Sequence, residues 1–179
     1  MTGTERADVA QDEPARAAWI PAYVALGSNL DDPGQQVERA FDALASLPRC
    51  RLVLRSACYR SRPLGPVAQP DFVNAVAGLL TQLDAATLLQ ELKSLESTLG
   101  RAAPIVRWGP RRIDLDLLVH GSTRRQEPKL QVPHPGIAGR AFVLAPLCDV
   151  SPDLLVPGVG RVRDLLARLD AGGLERIDR

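Results

Sequence analysis

At 179 residues, the chain has room for one domain with a single core. Its composition, 45% hydrophobic and 24% charged, excludes the fibrous and wholly disordered classes, and its net charge of +1 gives no general attraction to nucleic acid or an acidic membrane. No apolar run reaches the roughly 18 residues of a membrane span, and residues 1–20 lack the apolar stretch of a signal peptide. We therefore expect a cytoplasmic protein without a membrane or nucleic-acid partner.

The three cysteines are predicted to be reduced thiols. Their odd number argues against a disulfide framework. Cys50 and Cys58 are expected on one strand, where their separation would be roughly 26 Å. A disulfide requires Cα atoms within about 7 Å.

The fold is expected to begin near Pro21, with residues 1–20 as a flexible N-terminal tail and residues 21–179 as a single domain. Residues 23–26 are apolar and end at Gly27, which is typical of a short buried strand. Asp32 and Pro33 then provide an N-cap and a first-turn proline for a helix that Pro48 ends. Its apolar stripe consists of Val37, Phe41, Leu44 and Leu47.

Residues 52–59 and 72–80 are predicted to be the next two strands, separated by a loop rich in proline and glycine. Asp84 caps a second helix, and Gly100 is placed to end it. The buried stripe of that helix consists of Leu88, Leu92, Leu95 and Leu99. Residues 101–111 form an irregular connection, residues 113–119 a fourth strand, and residues 161–169 could form a last helix.

The predicted order is therefore strand, helix, strand, strand, helix, strand. This order is the split β-α-β plan of ferredoxin-like domains. It predicts an α+β ferredoxin-like sandwich, with an antiparallel sheet and helices packed on one face. The plan alone does not determine the chemistry.

Two aspartates alternate with apolar residues on the fourth predicted strand. Ile113, Leu115 and Leu117 should face the core, so Asp114 and Asp116 should share the opposite face. Two like charges so close repel each other unless a cation lies between them. Carboxylates can bind Mg²⁺ while leaving positions for water and phosphate. The alternative is a solvated strand face with two exposed aspartates, and the motif alone leaves both open.

The connection before this strand is rich in arginine. Four arginines and one tryptophan lie close together there: Arg101, Arg107, Trp108, Arg111 and Arg112. Such a loop can cradle a polyphosphate and close over it. The alternative is a solvated basic loop, although an exposed tryptophan fits that interpretation less well.

Three further observations bear on a binding site. His134 and Arg140 could add phosphate contacts, although His134 could instead satisfy a turn between two prolines. Gly27 permits close approach of the backbone to a ligand. The chain contains no G-K-[ST] motif, so any use of ATP is not that of a P-loop enzyme.

Several segments, taken in order, resemble one family. They are residues 25–30 (ALGSNL), 59–61 (YRS), 63–66 (PLGP), 69–75 (QPDFVNA), 107–111 (RWGPR), 114–116 (DLD), 132–135 (VPHP) and 140–144 (RAFVL). The set resembles the 6-hydroxymethyl-7,8-dihydropterin pyrophosphokinases of folate biosynthesis, over about residues 23–153. The succession of RWGPR and DLD is its most specific part.

This resemblance implies a monomeric enzyme that transfers the β,γ-pyrophosphate of ATP, its co-substrate, to the pterin hydroxymethyl group and releases AMP. It implies that Asp114 and Asp116 bind two Mg²⁺ and act in catalysis together with Arg101 and Arg111. The implied ATP-binding residues are Glu96, Trp108, Leu117, Lys129, His134 and Arg140, and the implied pterin-binding residues are Ser61, Leu64, Phe72, Asn74 and Phe142. Residues 101–111 would form the lid.

Two positions depart from the family pattern. Ala103 stands where members carry a second lid arginine, and Arg112 stands where a small polar residue is usual. Our hypothesis is that Arg112 partly replaces the missing charge. The sequence leaves two alternatives to an active enzyme: a non-catalytic ferredoxin-like binding module, and a pyrophosphokinase fold that has lost activity.

Overall fold

The computed structural model describes residues 17–100 and 109–177. The strands and helices of the main sheet are, in chain order, β1 (Ile20–Ser28), α1 (Pro33–Ala45), β2 (Cys50–Arg55), β3 (Cys58–Ser61), β4 (Phe72–Thr81), α2 (Ala85–Thr98) and β5 (Asp114–His120). The C-terminal part adds β6 (Arg125–Glu127), β7 (Leu130–Val132), a 3₁₀ turn (Ile137–Gly139), α3 (Ala141–Val150), β8 (Leu155–Val156), β9 (Gly160–Arg161), α4 (Val162–Leu166) and β10 (Glu175–Ile177).

The main sheet has the order β10-β3-β4-β1-β5, with β2 also paired to β4, and every pairing within it is antiparallel. β1 therefore lies between β4 and β5. Gly27 near its end pairs with Asn74 of β4 on one side and with Asp114 of β5 on the other. The predicted α+β class, with its antiparallel sheet, is confirmed.

Both predicted helix starts are confirmed. The Asp32 side chain accepts a hydrogen bond from the Gln35 backbone N–H at the start of α1. The Asp84 side chain accepts from the Ala86 and Thr87 backbone N–H groups at the start of α2. These contacts satisfy donors that have no partner within the helix.

Helices cover both faces of the sheet, so the prediction that they lie on one face was wrong. α1 and α2 pack on one face, where Phe41, Leu88 and Leu92 are fully buried. α3 and α4 form a second core on the other face, around Leu144 and Leu147. The sequence AFVLAPLCDV of α3 is almost entirely apolar and contains a proline, so it has no amphipathic stripe to reveal it.

The predicted strand at residues 52–59 is two strands, β2 and β3. The chain leaves the ladder at Ser56, whose hydroxyl accepts a hydrogen bond from the Val76 backbone N–H. Cys50 and Cys58 therefore lie on different strands rather than on one. All three cysteines are free thiols, as predicted.

The remaining elements agree in position but not always in extent. β5 begins at Asp114 rather than at residue 113, and the last predicted helix is shorter, covering Val162–Leu166. β1 begins at Ile20, and residues 1–16 of the predicted tail lie outside the described residues. Among the described residues, none of the helices has the length and apolarity needed to cross a membrane.

Candidate active site

A cavity opens where β1 ends and β4 and β5 begin, beside the start of α3. The predicted site residues that line it are Ser61, Leu64, Phe72, Asn74, Arg111, Asp114, Asp116, His134, Arg140 and Phe142. Polar and charged groups come mainly from β5 and the segments around it. The aromatic side chains come from β4 and α3.

Asp114 and Asp116 both line this cavity, while Leu115 between them is buried in the core below. The predicted alternation is thus observed, because successive side chains of a strand point to opposite faces. Arg111 Nη1 lies 2.5 Å from Asp114 Oδ2, and Lys93 Nζ lies 3.8 Å from Asp116 Oδ1. His134 Nε2 lies 4.0 Å from Asp116 Oδ2.

Burial raises the pKa of Asp116, and the neighbouring Asp114 carboxylate raises it further, against the opposing effect of Lys93. Burial lowers the pKa of His134, although Asp116 acts in the opposite direction. The cavity therefore holds two carboxylates whose joint ionisation is unfavourable. A bound cation would relieve that repulsion.

The carboxylate pair fits a magnesium ion of the kind that completes its shell with waters and phosphate oxygens. No group of three or more His, Cys, Asp or Glu side chains suited to a metal ion occurs within residues 17–100 and 109–177. Mg²⁺ at phosphate-transfer sites needs fewer protein ligands, because one or two carboxylates suffice alongside the substrate phosphates. A structural zinc site would require more protein ligands.

His134 and Arg140 are held by the turn that leads into α3. The His134 backbone N–H donates to Leu118 O at 2.9 Å, and its ring Nδ1 accepts from the Gly136 N–H at 3.0 Å. Because Nδ1 is an acceptor, the neutral ring carries its proton on Nε2, which faces Asp116. A Cβ atom on Gly136 would lie 2.6 Å from Arg140 Nε, so this position leaves room for the guanidinium group.

The other half of the cavity is aromatic. Phe72 begins β4, and Phe142 lies in the first turn of α3. Asn74 is 6% exposed, and its Nδ2 donates to Ser61 Oγ at 2.9 Å. This half offers two ring faces and a fixed amide, a combination that suits a flat polar heterocycle.

Three predicted nucleotide-binding residues lie away from the cavity lining. Leu117 is buried in the core beneath β5, and Lys129 is exposed in the turn between β6 and β7. Glu96 is 3% exposed, and its Oε1 accepts from the Leu115 backbone N–H at 2.6 Å. Arg101 and Trp108 lie outside the described residues, so their placement stays a prediction.

Lys93 was not predicted as a site residue, although it is one of only two lysines in the chain. Its Nζ lies 2.9 Å from Glu96 Oε1 and donates to Leu115 O at 3.2 Å. Lys93 and Glu96 together hold both backbone groups of Leu115, the residue between the two aspartates. We call this arrangement the Leu115 clamp.

The other lining residues are Ala25, Leu26, Gly27, Arg62, Gln69, Ala75, Leu118 and Val143. Of these, only Gly27 was predicted as part of a site, as a point where a ligand could approach the backbone. All of these lining residues except Arg62 and Leu118 stand inside the segments that carried the family resemblance, which was the available signal. Leu118 lies outside those segments and carries no such signal, because an apolar residue on a buried strand is normally part of the core.

Arg112 contacts Asp31 and does not line the cavity. Its Nε and Nη2 atoms donate to Asp31 Oδ2 at 2.9 and 2.6 Å, and the side chain passes over Gly100 at the end of α2. The contact anchors the segment entering β5 to the β1–α1 connection. The hypothesis that Arg112 replaces a lid charge stays a prediction.

Comparison with known proteins supports one family. The family model described as 7,8-dihydro-6-hydroxymethylpterin-pyrophosphokinase (HPPK) matches residues 23–152. The chain belongs to this family. The match covers every residue that lines the cavity, from Ala25 to Val143.

Relatives from three bacteria are named 2-amino-4-hydroxy-6-hydroxymethyldihydropteridine pyrophosphokinase. The protein of Pseudomonas aeruginosa is 48% identical, with 87% of this chain and 95% of the relative covered. The protein of Haemophilus influenzae is 42% identical, with 82% of this chain and 91% of the relative covered. The protein of Methylorubrum extorquens is 41% identical, with 88% of this chain and 98% of the relative covered.

A solved structure with the same fold is the Plasmodium falciparum HPPK-DHPS chain crystallised with pteroate. It superposes with a TM-score of 0.68 at 12% identity, and 91% of this chain is covered. Only 47% of that longer chain is covered. At this identity the likeness establishes the pyrophosphokinase-family fold and nothing further.

Proposed function

We propose that the protein transfers the β,γ-pyrophosphate of ATP to the hydroxymethyl group of 6-hydroxymethyl-7,8-dihydropterin, releasing AMP, as a step in folate biosynthesis. The observation that carries this proposal is the division of one cavity into two halves. A carboxylate pair with flanking cations lies on one side, and two phenylalanines with a fixed amide lie on the other.

In the aromatic half, Phe72 and Phe142 would stack on the two faces of the pterin ring. Asn74 is held by Ser61 through its Nδ2, and its amide would bind the pterin edge. Leu64 would cover the ring from the loop before β4. This arrangement would aim the hydroxymethyl oxygen toward the carboxylate half.

In the charged half, Arg111, His134 and Arg140 would contact the triphosphate, because their side chains line the cavity around the aspartates. In the transfer step the hydroxymethyl oxygen would lose its proton and attack the β-phosphorus, the bond from that phosphorus to the α,β-bridging oxygen would break, and AMP would leave with that oxygen. Asp114 and Asp116 would hold two Mg²⁺, which when bound neutralise charge on the transferring phosphates. Positioning and electrostatics would then supply most of the catalysis.

The remaining predicted roles are part of the same proposal. Arg101 and Trp108 would belong to the lid that closes over the triphosphate and excludes water. Glu96, Leu117 and Lys129 would serve the nucleotide side, with Glu96 acting from beneath β5. We further propose that the enzyme works as a cytoplasmic monomer without nucleic-acid partners. Its near-zero net charge supports the last of these points, because it gives no general attraction to nucleic acid.

The test is to incubate the protein with Mg²⁺, ATP and the reduced pterin alcohol and to separate the nucleotide products. AMP should form only when the pterin is present. ADP instead of AMP would contradict the proposal, since it marks transfer of a single phosphoryl group. Magnesium-dependent binding of an ATP analogue without any turnover would instead support the inactive alternative.

Asp114→Ala should abolish AMP formation while leaving the fold intact, because Asp114 points away from the core. The matched control is Asp164→Ala on α4, where the carboxylate is exposed and lies 4.0 Å from its arginine partner. The control should retain full AMP formation.

A further inference from the structure

The residue that follows β1 lies between the two halves of the cavity. β1 is the strand between β4 and β5, so Asn29, just beyond its end, lies between the segment entering β4 and the segment entering β5. The first segment leads to Phe72, and the second carries Arg111 to Asp114. Asn29 is 2% exposed, and it is not among the residues that line the cavity.

On the charged side, Asn29 holds the backbone of Arg111 at two points. The Asn29 N–H donates to Arg111 O at 3.1 Å, and the Arg111 N–H donates to Asn29 Oδ1 at 2.8 Å. With its peptide groups fixed, Arg111 directs its guanidinium group at Asp114, where Nη1 lies 2.5 Å from Oδ2.

On the aromatic side, the same amide holds the segment before β4. Asn29 Nδ2 donates to Gln69 Oε1 at 3.0 Å and to Pro70 O at 3.1 Å. Pro70 is two residues before Phe72. Both amide protons and the amide oxygen are therefore used, and no side chain of similar size other than asparagine offers two donors and an acceptor in one plane.

We propose that Asn29 is a positioning residue that fixes the distance between the pterin half and the phosphate half of the site. The inference rests on the proposed function, because it is the transfer between two bound substrates that requires this distance to be fixed. Reacting atoms must be held within about 3.5 Å in the right orientation, and a misplacement of about 1 Å can reduce the rate a hundredfold. A single buried amide that contacts both segments is suited to limit such errors.

Two substitutions separate the contacts. Asn29→Asp keeps an acceptor for the Arg111 N–H but loses both donors and turns a carboxylate toward the oxygens of Gln69 and Pro70. Asn29→Ala loses all three side-chain bonds. We expect Asn29→Asp to raise the KM for the pterin about tenfold, with a smaller change in the KM for ATP. We expect Asn29→Ala to raise the KM for the pterin and also to lower kcat, each by about tenfold or more.

The matched control is Thr81→Val at the far end of β4. Thr81 is fully buried, and its Oγ1 accepts from the Leu83 N–H and bonds Cys50 Sγ, so the substitution also removes buried hydrogen bonds. It should lower the melting temperature while leaving kcat and both KM values unchanged. A general loss of stability is thereby distinguished from loss of positioning.

Amide hydrogen exchange gives a second readout that does not need activity. The Arg111 N–H should exchange slowly in the wild type and in Asn29→Asp, and faster in Asn29→Ala. Asn29→Ala with kcat and both KM values within twofold of the wild type would overturn the inference, as would equal Arg111 exchange rates in wild type and Asn29→Ala. If the wild type itself formed no AMP, the proposed function would fail, and the exchange rates would still report on Asn29.

Discussion

At the Asp116 side chain, stability and function are opposed. Burial and the nearby Asp114 raise the folded-state pKa of Asp116 above its usual 3.8. A carboxyl group whose pKa is raised by folding makes its full contribution to stability at pH values below its pKa in the unfolded chain. This contribution is lost as the pH rises through its pKa in the folded protein. The raised pKa therefore means that ionisation of Asp116 lowers the stability of the metal-free fold.

Asp116→Asn should consequently leave the melting temperature of the metal-free protein at pH 7 unchanged or higher. AMP formation should fall at least about a hundredfold, the scale for losing one preorganised electrostatic contact. Thermal unfolding and the AMP assay measure the two effects. Retained activity with a lower melting temperature would show that Asp116 supports the fold rather than the reaction.

At the scale of single elements, the start of α2 depends on one cap. Asp84 is exposed, and hydrogen bonds from Thr87 and Ala86 lower its pKa from 3.8. Because the folded pKa is depressed, the cap stabilises the fold above the unfolded pKa, and its contribution is lost as pH falls through the folded value.

Asp84→Ala should lower the free energy of unfolding by about 1 kcal/mol at pH 7, a typical value for removing an N-cap. The matched variant Asp84→Asn should retain most of this stability, because asparagine caps about as well as aspartate. Between pH 5 and pH 3, about the usual range of an aspartate, the wild type should lose more stability than Asp84→Asn. Urea denaturation at each pH measures both effects. If Asp84→Asn lowered the free energy of unfolding as much as Asp84→Ala, Asp84 would not stabilise α2 as its N-cap.

The Leu115 clamp ties α2 to the strand that carries both aspartates. Glu96→Ala should lower the free energy of unfolding by about 2 kcal/mol, since it leaves the buried Leu115 N–H without its charged acceptor. Glu96→Gln keeps an acceptor for the Leu115 N–H and should therefore lose less stability than Glu96→Ala. Glu91→Ala, on the same helix and half-buried, serves as the control for general effects of substitution on α2. Equal losses from Glu96→Ala and Glu91→Ala would argue against the clamp.

Elements with a local signal could be predicted from the sequence, and those determined by distant pairing could not. The caps at Asp32 and Asp84 and the alternation around Leu115 are local patterns, and all three are confirmed. β10 could not be foreseen, because its three residues become a strand only by pairing with β3. The break between β2 and β3 likewise depends on Ser56 bonding to β4, which no spacing in the sequence reveals.

At the scale of the whole molecule, two cores share one sheet. Leu92 is fully buried beneath one face and Leu147 beneath the other. Because both cores pack on the same strands, they should unfold together. Leu92→Ala and Leu147→Ala should each lower the free energy of unfolding by about 2–5 kcal/mol in a single transition. Leu155→Ala, at a residue 67% exposed, should have little effect. Two separate transitions by circular dichroism would show that the cores fold independently.

The site was predictable mainly where the family resemblance named particular residues. Phe72 and Phe142 are 70 positions apart in the sequence, and nothing local in either segment places them in the same cavity. Lys93 escaped prediction because a lysine on an exposed helix face normally has no role beyond solubility. Its contact with Asp116 exists only because α2 packs beside β5.

The outer side of β5 is an edge of the main sheet, where another chain could add a strand. An open edge of this kind promotes aggregation, since its unpaired N–H and C=O groups form a template. Here Glu96 and Lys93 already bind the Leu115 N–H and C=O, and the His134 N–H binds Leu118 O. The groups that hold the aspartate strand in place therefore also protect this edge against pairing with another chain.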